Sequence, residues 1–341
     1  MRDDASRVVD RGRYPKAVTP WEDPDWRDAA LGWARDELAA HGLRVTGPGR
    51  VRLRPWSVLV RLPVAGRGSV WFKANPPGSA FEAGLTAALA RWAPGHVLAP
   101  LAADAARAWL LLPDGGELFR DVLDRAPADP RAWEQPLAQY AALQRTLLPH
   151  VPDLARLGVP GAPTVRLPDL FDRLVAENPV LPPDDRARLR ALRPRLAGWC
   201  ADLADLGIAD TLDHADLHDG QLFAPQPGRF TFFDWGDAAL SHPFCSFLVP
   251  ALAARDRYGP DALPRLRDAY LEPWTGGGLA AAELRRAMRP AWRLGTLGRV
   301  RAWGRLFPAP ADEPGDAAPP GAAESAAWLC ALHSDDSEPP V

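Results

Sequence analysis

The apolar residues of this chain change their period near residue 114, and that change narrows most what it can fold into. Between 50 and 74 they alternate. Val51 and Leu53 stand among arginines, Val58, Val60 and Leu62 keep the same rhythm, and Ser69–Ala74 resumes it after Ala65-Gly66-Arg67-Gly68. A period of two belongs to strands with one buried face, so these segments predict an antiparallel meander of three strands. Two further strands are expected over 97–102 and 108–112, before Pro113-Asp114-Gly115-Gly116 breaks the pattern. Beyond it the spacing turns helical, over 117–125, 130–148, 168–177, 184–206, 243–256, 260–271, 280–306 and 322–332. Only 211–235 departs, where Leu222-Phe223 and Phe230–Phe233 predict a short hairpin.

Two helices belong to the first part. Asp23-Pro24-Asp25 supplies an N-cap, a first-turn proline and a first-turn acid, and the helix is expected to stop near Gly42. A second helix is predicted from Ser79 to about Trp92, with Phe81, Leu85, Leu89 and Trp92 on one face. The expected organisation is a loose segment 1–22, an N-terminal lobe 23–113, a C-terminal lobe 114–307, and a linker and tail 308–341. The tail opens on the proline-rich PAPADEPGDAAPPG.

Charge and cysteine usage narrow the function. With 40 Lys+Arg against 43 Asp+Glu the chain carries a formal charge of −3, without the basic excess that nucleic-acid phosphates require. Its three cysteines, Cys200, Cys245 and Cys330, are widely spaced and form no C-x-x-C, so neither a disulfide framework nor a zinc site is expected and a reducing cytoplasm fits. MRDDASRVVDRGRYP has no apolar stretch of a signal peptide, and no segment predicts a membrane span. Only two lysines are present, Lys16 and Lys73; every other basic residue is arginine.

The chemistry concentrates in Thr211-Leu-Asp-His214-Ala-Asp216-Leu-His218-Asp219-Gly220-Gln221 and in Phe232-Phe233-Asp234-Trp235-Gly236-Asp237. Phosphoryl transfer needs a carboxylate for the acceptor hydroxyl, oxygen donors for Mg²⁺ and a cation on the phosphates. Asp216 suits the first role as catalytic base. The Gln221 amide oxygen and the Asp234 carboxylate are hard donors of the kind Mg²⁺ prefers, and a hairpin would return Asp234 beside Gln221. A competing reading takes His214, Asp216 and His218 as ligands of Zn²⁺ or Mn²⁺ in a metallohydrolase.

At these residues the chain resembles the aminoglycoside phosphotransferase family, kinase-like phosphotransferases of small molecules. HADLHDGQ is similar to the family's H-G-D-L-H-x-G-N, and FFDWGD to its I-D-W segment; the order of elements extends the likeness over roughly 50–305. The resemblance implies a bilobal, protein-kinase-like α+β fold, with a small antiparallel-sheet lobe and a larger, mostly helical one. It also implies ATP or GTP with Mg²⁺ as cofactors and a small-molecule hydroxyl, such as that of an aminoglycoside or a metabolite, as acceptor.

Lys73, ending the strand Val70-Trp71-Phe72-Lys73, resembles the strand lysine that grips nucleotide phosphates, with Glu82 as its ion-pair partner. Ser79-Ala-Phe-Glu82 is also a capping-box pattern. The adenine edge is expected on main chain near Leu112–Asp114, so Leu112 and Asp114 join Ser57, Lys73 and Glu82 as candidate nucleotide contacts. Three departures from the family stand out. Ala215 replaces a glycine and is expected to keep out of the left-handed region; Gln221 replaces an asparagine; and Arg54-Pro55-Trp56-Ser57 stands where a Gly-rich loop belongs. Gln221 and the missing Gly-rich loop leave open an inactive or weakly active nucleotide-binding protein on the same fold. The acidic residues Asp169, Asp172, Glu177, Asp184 and Asp185 are candidates to receive a cationic acceptor.

Overall fold

A computed structural model of the chain describes residues 9–12, 19–125, 129–276, 278–305 and 321–333. Lys16 and nearly all of the proline-rich 308–321 segment lie outside these residues. The chain divides into two compact units, one running through Gly115 and taking in Arg305, the other built from Gly116–Gly304 and the last described helix.

The first unit is a six-stranded sheet with two helices. Its strands are Val9–Asp10 (β1), Arg50–Arg54 (β2), Ser57–Val64 (β3), Gly68–Ala74 (β4), Ala102–Asp104 (β5) and Trp109–Pro113 (β6), in the order β1-β2-β3-β4-β6-β5. The alternating segments form the expected antiparallel meander, Val60 lying opposite both Val51 and Phe72. Strand β1 pairs parallel with β2, so the sheet is mixed rather than wholly antiparallel; two residues in a polar segment carry no periodic signal. Strand β5 starts later than expected. Pro100 has no N–H for a ladder, and the first such bond comes from Leu101 N–H to the Leu111 carbonyl at 2.7 Å.

Helix α1, Pro24–Ala40, is capped by the Asp23 side chain on the Asp25 N–H, as its sequence predicts. It buries Ala30, Leu31, Ala34 and Leu38 in one core with Val58, Val60, Phe72, Trp109 and Leu111 of the sheet. Trp26 and Trp33 meet Phe72 and Trp109 at centroid separations of 5.7–6.4 Å, mostly edge to face. Directly opposed residues of an antiparallel pair share a face. Lys73 lies opposite Leu59 and Leu110, and Trp71 opposite Leu112. Ser57, Lys73 and Leu112 therefore occupy one face of the sheet, and the α1 core the other. Helix α2 spans Glu82–Trp92 after a 3₁₀ turn at Pro77–Ser79, so it begins later than Ser79.

The second unit is mostly helical. Helices Phe119–Arg125 (α3), Glu134–Leu147 (α4), Val151–Arg156 (α5), Leu167–Glu177 (α6) and Pro183–Ala204 (α7) lead to four short strands. These are Thr211–Asp213 (β7), Leu222–Gln226 (β8), Arg229–Phe232 (β9) and Ala239–Ser241 (β10). Helices Leu248–Tyr258 (α8), Leu263–Leu271 (α9), Ala281–Arg305 (α10) and Ala322–Ala331 (α11) complete it. The β8–β9 hairpin is the expected one. The β7–β10 pair and α5 are additions, being three, three and six residues long, too short for a period to show.

Candidate active site

In the first unit the Lys73 ammonium lies 2.7 Å from both carboxylate oxygens of Glu82, with 6% and 2% of the two residues exposed. The Asn75 amide donates to the same carboxylate and to the Ser79 carbonyl. Glu82 is the first residue of α2, with Phe81 at the N-cap position, and its side chain turns to the lysine. A buried ion pair of this kind costs desolvation and is a poor stabiliser, so stability gives little reason to keep it. Ser57 is buried at the start of β3, directly after a turn of only two residues, Pro55 and Trp56. Arg54 at that turn donates to Asp10 and to the Leu53 carbonyl. Leu112 shares the Lys73 face, and Asp114 follows the end of β6.

In the second unit a buried polar frame holds the segment 214–221. Asp213, at the end of β7, accepts from Ser246 Oγ (2.6 Å), the Ala215 N–H (2.8 Å) and Ser241 Oγ (3.2 Å). The Tyr140 hydroxyl of α4 accepts from the His214 N–H at 2.8 Å, and Gln144 one turn later donates to the Leu212 carbonyl at 2.9 Å. His214 Nε2 lies 2.9 Å from the Phe233 carbonyl, which can only accept, so this nitrogen carries the proton. Burial lowers the pKa of His214 and keeps the ring neutral against Trp235, 4.7 Å between centroids. His214 is thus a structural tie between this segment and the strand that leads to Asp234.

Ala215 reverses the expectation drawn from its side chain: its φ is +60°. The left-handed conformation costs a non-glycine residue roughly 1–2 kcal/mol. Bonds on both sides hold it there, the Ala215 N–H to Asp213 and the Ala215 carbonyl to Arg299 Nη1, each at 2.8 Å. The turn throws Asp216 out of the core. Its Oδ1 pairs with Arg299 at 3.0 Å, and its Oδ2 accepts from Gln221 Nε2 at 3.4 Å, with His218 Nε2 at 3.8 Å. Burial pushes the Asp216 carboxyl up to about 6; Arg299 opposes the rise, while Asp237 and Asp234 add to it.

The hairpin register brings in the third carboxylate. Leu222 pairs with Phe232, and the Phe233 N–H donates to the Gln221 carbonyl at 3.2 Å. Asp234 is the next residue along, in the left-handed region at φ 66° and ψ 64°, a conformation aspartate tolerates better than most. Asp216, Gln221 and Asp234 are thereby assembled by one loop and one hairpin. Their donors are all oxygen-bearing side chains, a set that suits Mg²⁺.

Several site residues carry no mark in the sequence. Arg299, on α10 and largely buried, joins Asp216 to Asp237, whose Oδ2 it meets at 2.8 Å. Asp237 is therefore an anchor for that arginine. Arg120 donates to Asp219 Oδ1 at 2.8 Å, and Arg257 lies 3.4 Å from Oδ2. Burial would raise the Asp219 carboxyl, but the hydrogen bond and positive charge of Arg120 hold it well below the usual carboxylate range. In a chain so rich in arginine, neither Arg120 nor Arg299 could be singled out by type.

The hydrolase alternative is not assembled: His214, Asp216 and His218 do not bring three ligand atoms together, with His214 Nε2 on the Phe233 carbonyl and His218 Nδ1 accepting from the Gly220 N–H. Among the described residues, the one group of three His, Cys, Asp or Glu side chains with converging ligand atoms lies elsewhere. Asp169, Asp172 and Asp185 are paired with Arg166, Arg193 and Arg188 on the helix surfaces.

No family model matches the chain, and no curated protein matches it in sequence. Solved structures do resemble it. The ethanolamine kinase of Plasmodium vivax superposes with a TM-score of 0.54 at 12% identity, over 86% of this chain and 82% of that one. The fold is that of small-molecule kinases and phosphotransferases. The macrolide 2′-phosphotransferase of Brachybacterium faecium gives a TM-score of 0.52 at 18% identity, over 84% of this chain and 100% of its own. A spectinomycin phosphotransferase in complex with ADP and spectinomycin gives 0.50 at 9% identity, over 89% and 95%. The bilobal, protein-kinase-like α+β class expected from the sequence is the one observed.

Proposed function

We propose that this protein transfers the terminal phosphoryl group of ATP or GTP to a hydroxyl of a small molecule, with Mg²⁺ as cofactor. The observation that carries the reading is the convergence of Asp216, Gln221 and Asp234, each fixed by a hydrogen bond or by strand register. The shared fold, found also in a phosphotransferase complexed with ADP, supports it.

Asp216 receives the proton of the acceptor hydroxyl at its carboxylate. With its pKa near 6 it is mostly ionised at neutral pH yet basic enough to hold that proton, the compromise that favours general-base catalysis. Arg299 keeps the carboxylate in place. Gln221 and Asp234 hold Mg²⁺, which when bound would neutralise charge on the phosphates. Lys73, oriented by Glu82, takes a phosphate oxygen as a point charge. Ser57 and the main chain at Leu112 and Asp114 complete the nucleotide contacts. The arginine pairing of Asp169, Asp172 and Asp185 leaves these residues no special claim on a cationic acceptor.

The test is a thermal shift with Mg²⁺ and ADP, ATP or GTP, followed by turnover on a panel of hydroxyl acceptors. Asp216→Asn should retain the nucleotide shift while lowering kcat by roughly 10²–10⁴-fold, the range expected for loss of a general base. Absence of any Mg²⁺-dependent nucleotide shift would sink the reading. A second reading, a nucleotide-binding protein without turnover, is favoured by the two-residue β2–β3 turn and by Gln221. A nucleotide shift with no acceptor in a broad panel would select it.

A further inference from the structure

We propose that Asp185, Cys330 and His333 form a binding site for a zinc-type divalent ion, which fastens the last described helix, α11, to the first turn of α7. A carboxylate oxygen, the Cys330 sulfur and an imidazole nitrogen all lie within 4.8 Å of one another. His333 Nε2 is 3.6 Å from Asp185 Oδ1. Ligand atoms around a tetrahedral zinc stand roughly 3.5 Å apart, so side-chain rotations of an ångström or less would close the set.

The polar atoms there are poorly served by the protein alone. His333 Nε2 is shielded from solvent and has no hydrogen-bond partner among the described residues. Asp185 Oδ1 has a long contact from Arg188 Nη1, at 3.4 Å. The thiol lies beside the carboxylate. The site nevertheless stays reachable, with 25% of the Asp185 side chain and 22% of the His333 side chain exposed.

The donor chemistry selects the ion. One thiolate, one imidazole and one carboxylate suit Zn²⁺ or Co²⁺, with a fourth position for water, and do not suit Mg²⁺ or Ca²⁺. Binding would replace the Cys330 thiol proton, which leaves to solvent, by the metal. Cys330 and His333 stand at the C-terminal end of α11, where the helix dipole favours a cation. That helix also buries Ala326, Leu329 and Leu332, and it is bonded through Asn178 to the Ala322 carbonyl, Ser325 to that of Val300 and Arg293 to that of Leu332. Spacing in the sequence hides the site, because Asp185 is remote from the other two ligands.

Cobalt is the direct probe. Wild-type protein titrated with Co²⁺ should give the visible bands of a tetrahedral ion and a near-ultraviolet thiolate-to-cobalt band at one equivalent, with Zn²⁺ displacing both. Cys200 and Cys245 are buried elsewhere, so Cys330→Ser should abolish the thiolate band and His333→Gln should weaken binding at least tenfold. Zn²⁺ should raise the Tm of the wild type and not of Cys330→Ser. Asp216→Asn should keep the thiolate band, which separates this site from the proposed catalytic one. No thiolate band in the wild type, or an equal band in Cys330→Ser, would overturn the proposal, and the wild-type spectrum decides even if a variant fails to fold.

Discussion

Arg299→Met tests the candidate site at its most loaded point. The guanidinium stands 3.0 Å from Asp216 and 2.8 Å from Asp237 with 9% of its side chain exposed, and it also holds the carbonyl of the left-handed Ala215. Methionine keeps much of the length and apolar packing but leaves two neighbouring carboxylates without their cation. Removing one partner of a buried ion pair costs roughly 3–5 kcal/mol. Asp216, 26% exposed, recovers some hydration, so a loss near the lower end, about 3 kcal/mol, is expected at pH 7.

The pH dependence follows from the same contacts. Arg299 pulls the Asp216 pKa down against burial, so in the variant that pKa rises above its present value of about 6. A carboxyl whose folded pKa is raised contributes stability that is full below its unfolded pKa and is lost as pH climbs through the folded one. In wild-type protein this loss falls between about pH 4 and pH 6, and in Arg299→Met it extends to higher pH. At pH 5 Asp216 is mostly protonated in both proteins, so the destabilisation should be smaller there than at pH 7. Urea unfolding at the two pH values measures it. The acid limb of the turnover profile should move alkaline in parallel, each unit corresponding to about 1.4 kcal/mol. A pH-independent loss below about 1 kcal/mol, with an unmoved acid limb, would refute the claim that Arg299 restrains Asp216.

Three further changes probe other parts of the argument. Lys73→Met strands the 2%-exposed Glu82 and should destabilise by roughly 3–5 kcal/mol, whereas the double variant Lys73→Met/Glu82→Leu should recover most of that loss in denaturant titration without restoring nucleotide binding. Ala215→Gly relieves a φ of +60° and should stabilise by about 0.5–1 kcal/mol after the greater chain entropy of glycine is subtracted; Ala215→Val should be destabilising, as a Tm comparison of the three proteins would show. Burial pushes His242 down to about 3, so stability drains away as pH falls from its unfolded pKa of 6.5 toward that value, on the order of 4 kcal/mol in all. His242→Asn keeps an acceptor for the Phe244 N–H and should flatten that acid slope in unfolding curves taken from pH 7 to pH 4.

What could be read from the sequence, and what could not, divides along a physical line. Strands β2–β4, helix α1 and the β8–β9 hairpin announce themselves because burial of one face imposes a period, and local caps such as Asp23 mark the ends. Asp216, Gln221 and Asp234 could be singled out because the chemistry proposed for them restricts which side chains can stand in that order. Contacts made by residues far apart in sequence leave neither kind of trace. Arg299 reaches the 214–221 loop from α10, Arg120 reaches Asp219 from α3, and Asp185 meets Cys330 and His333 across most of the second unit. Ala215 shows the limit most sharply. Taken alone, its Cβ argues against positive φ, and that preference is worth roughly 1–2 kcal/mol. Two buried hydrogen bonds, to Asp213 and from Arg299, outweigh it, each contributing on the order of 1 kcal/mol. A local preference of that size predicts the backbone only where no such partners converge, and a loop that must aim a carboxylate is where they do.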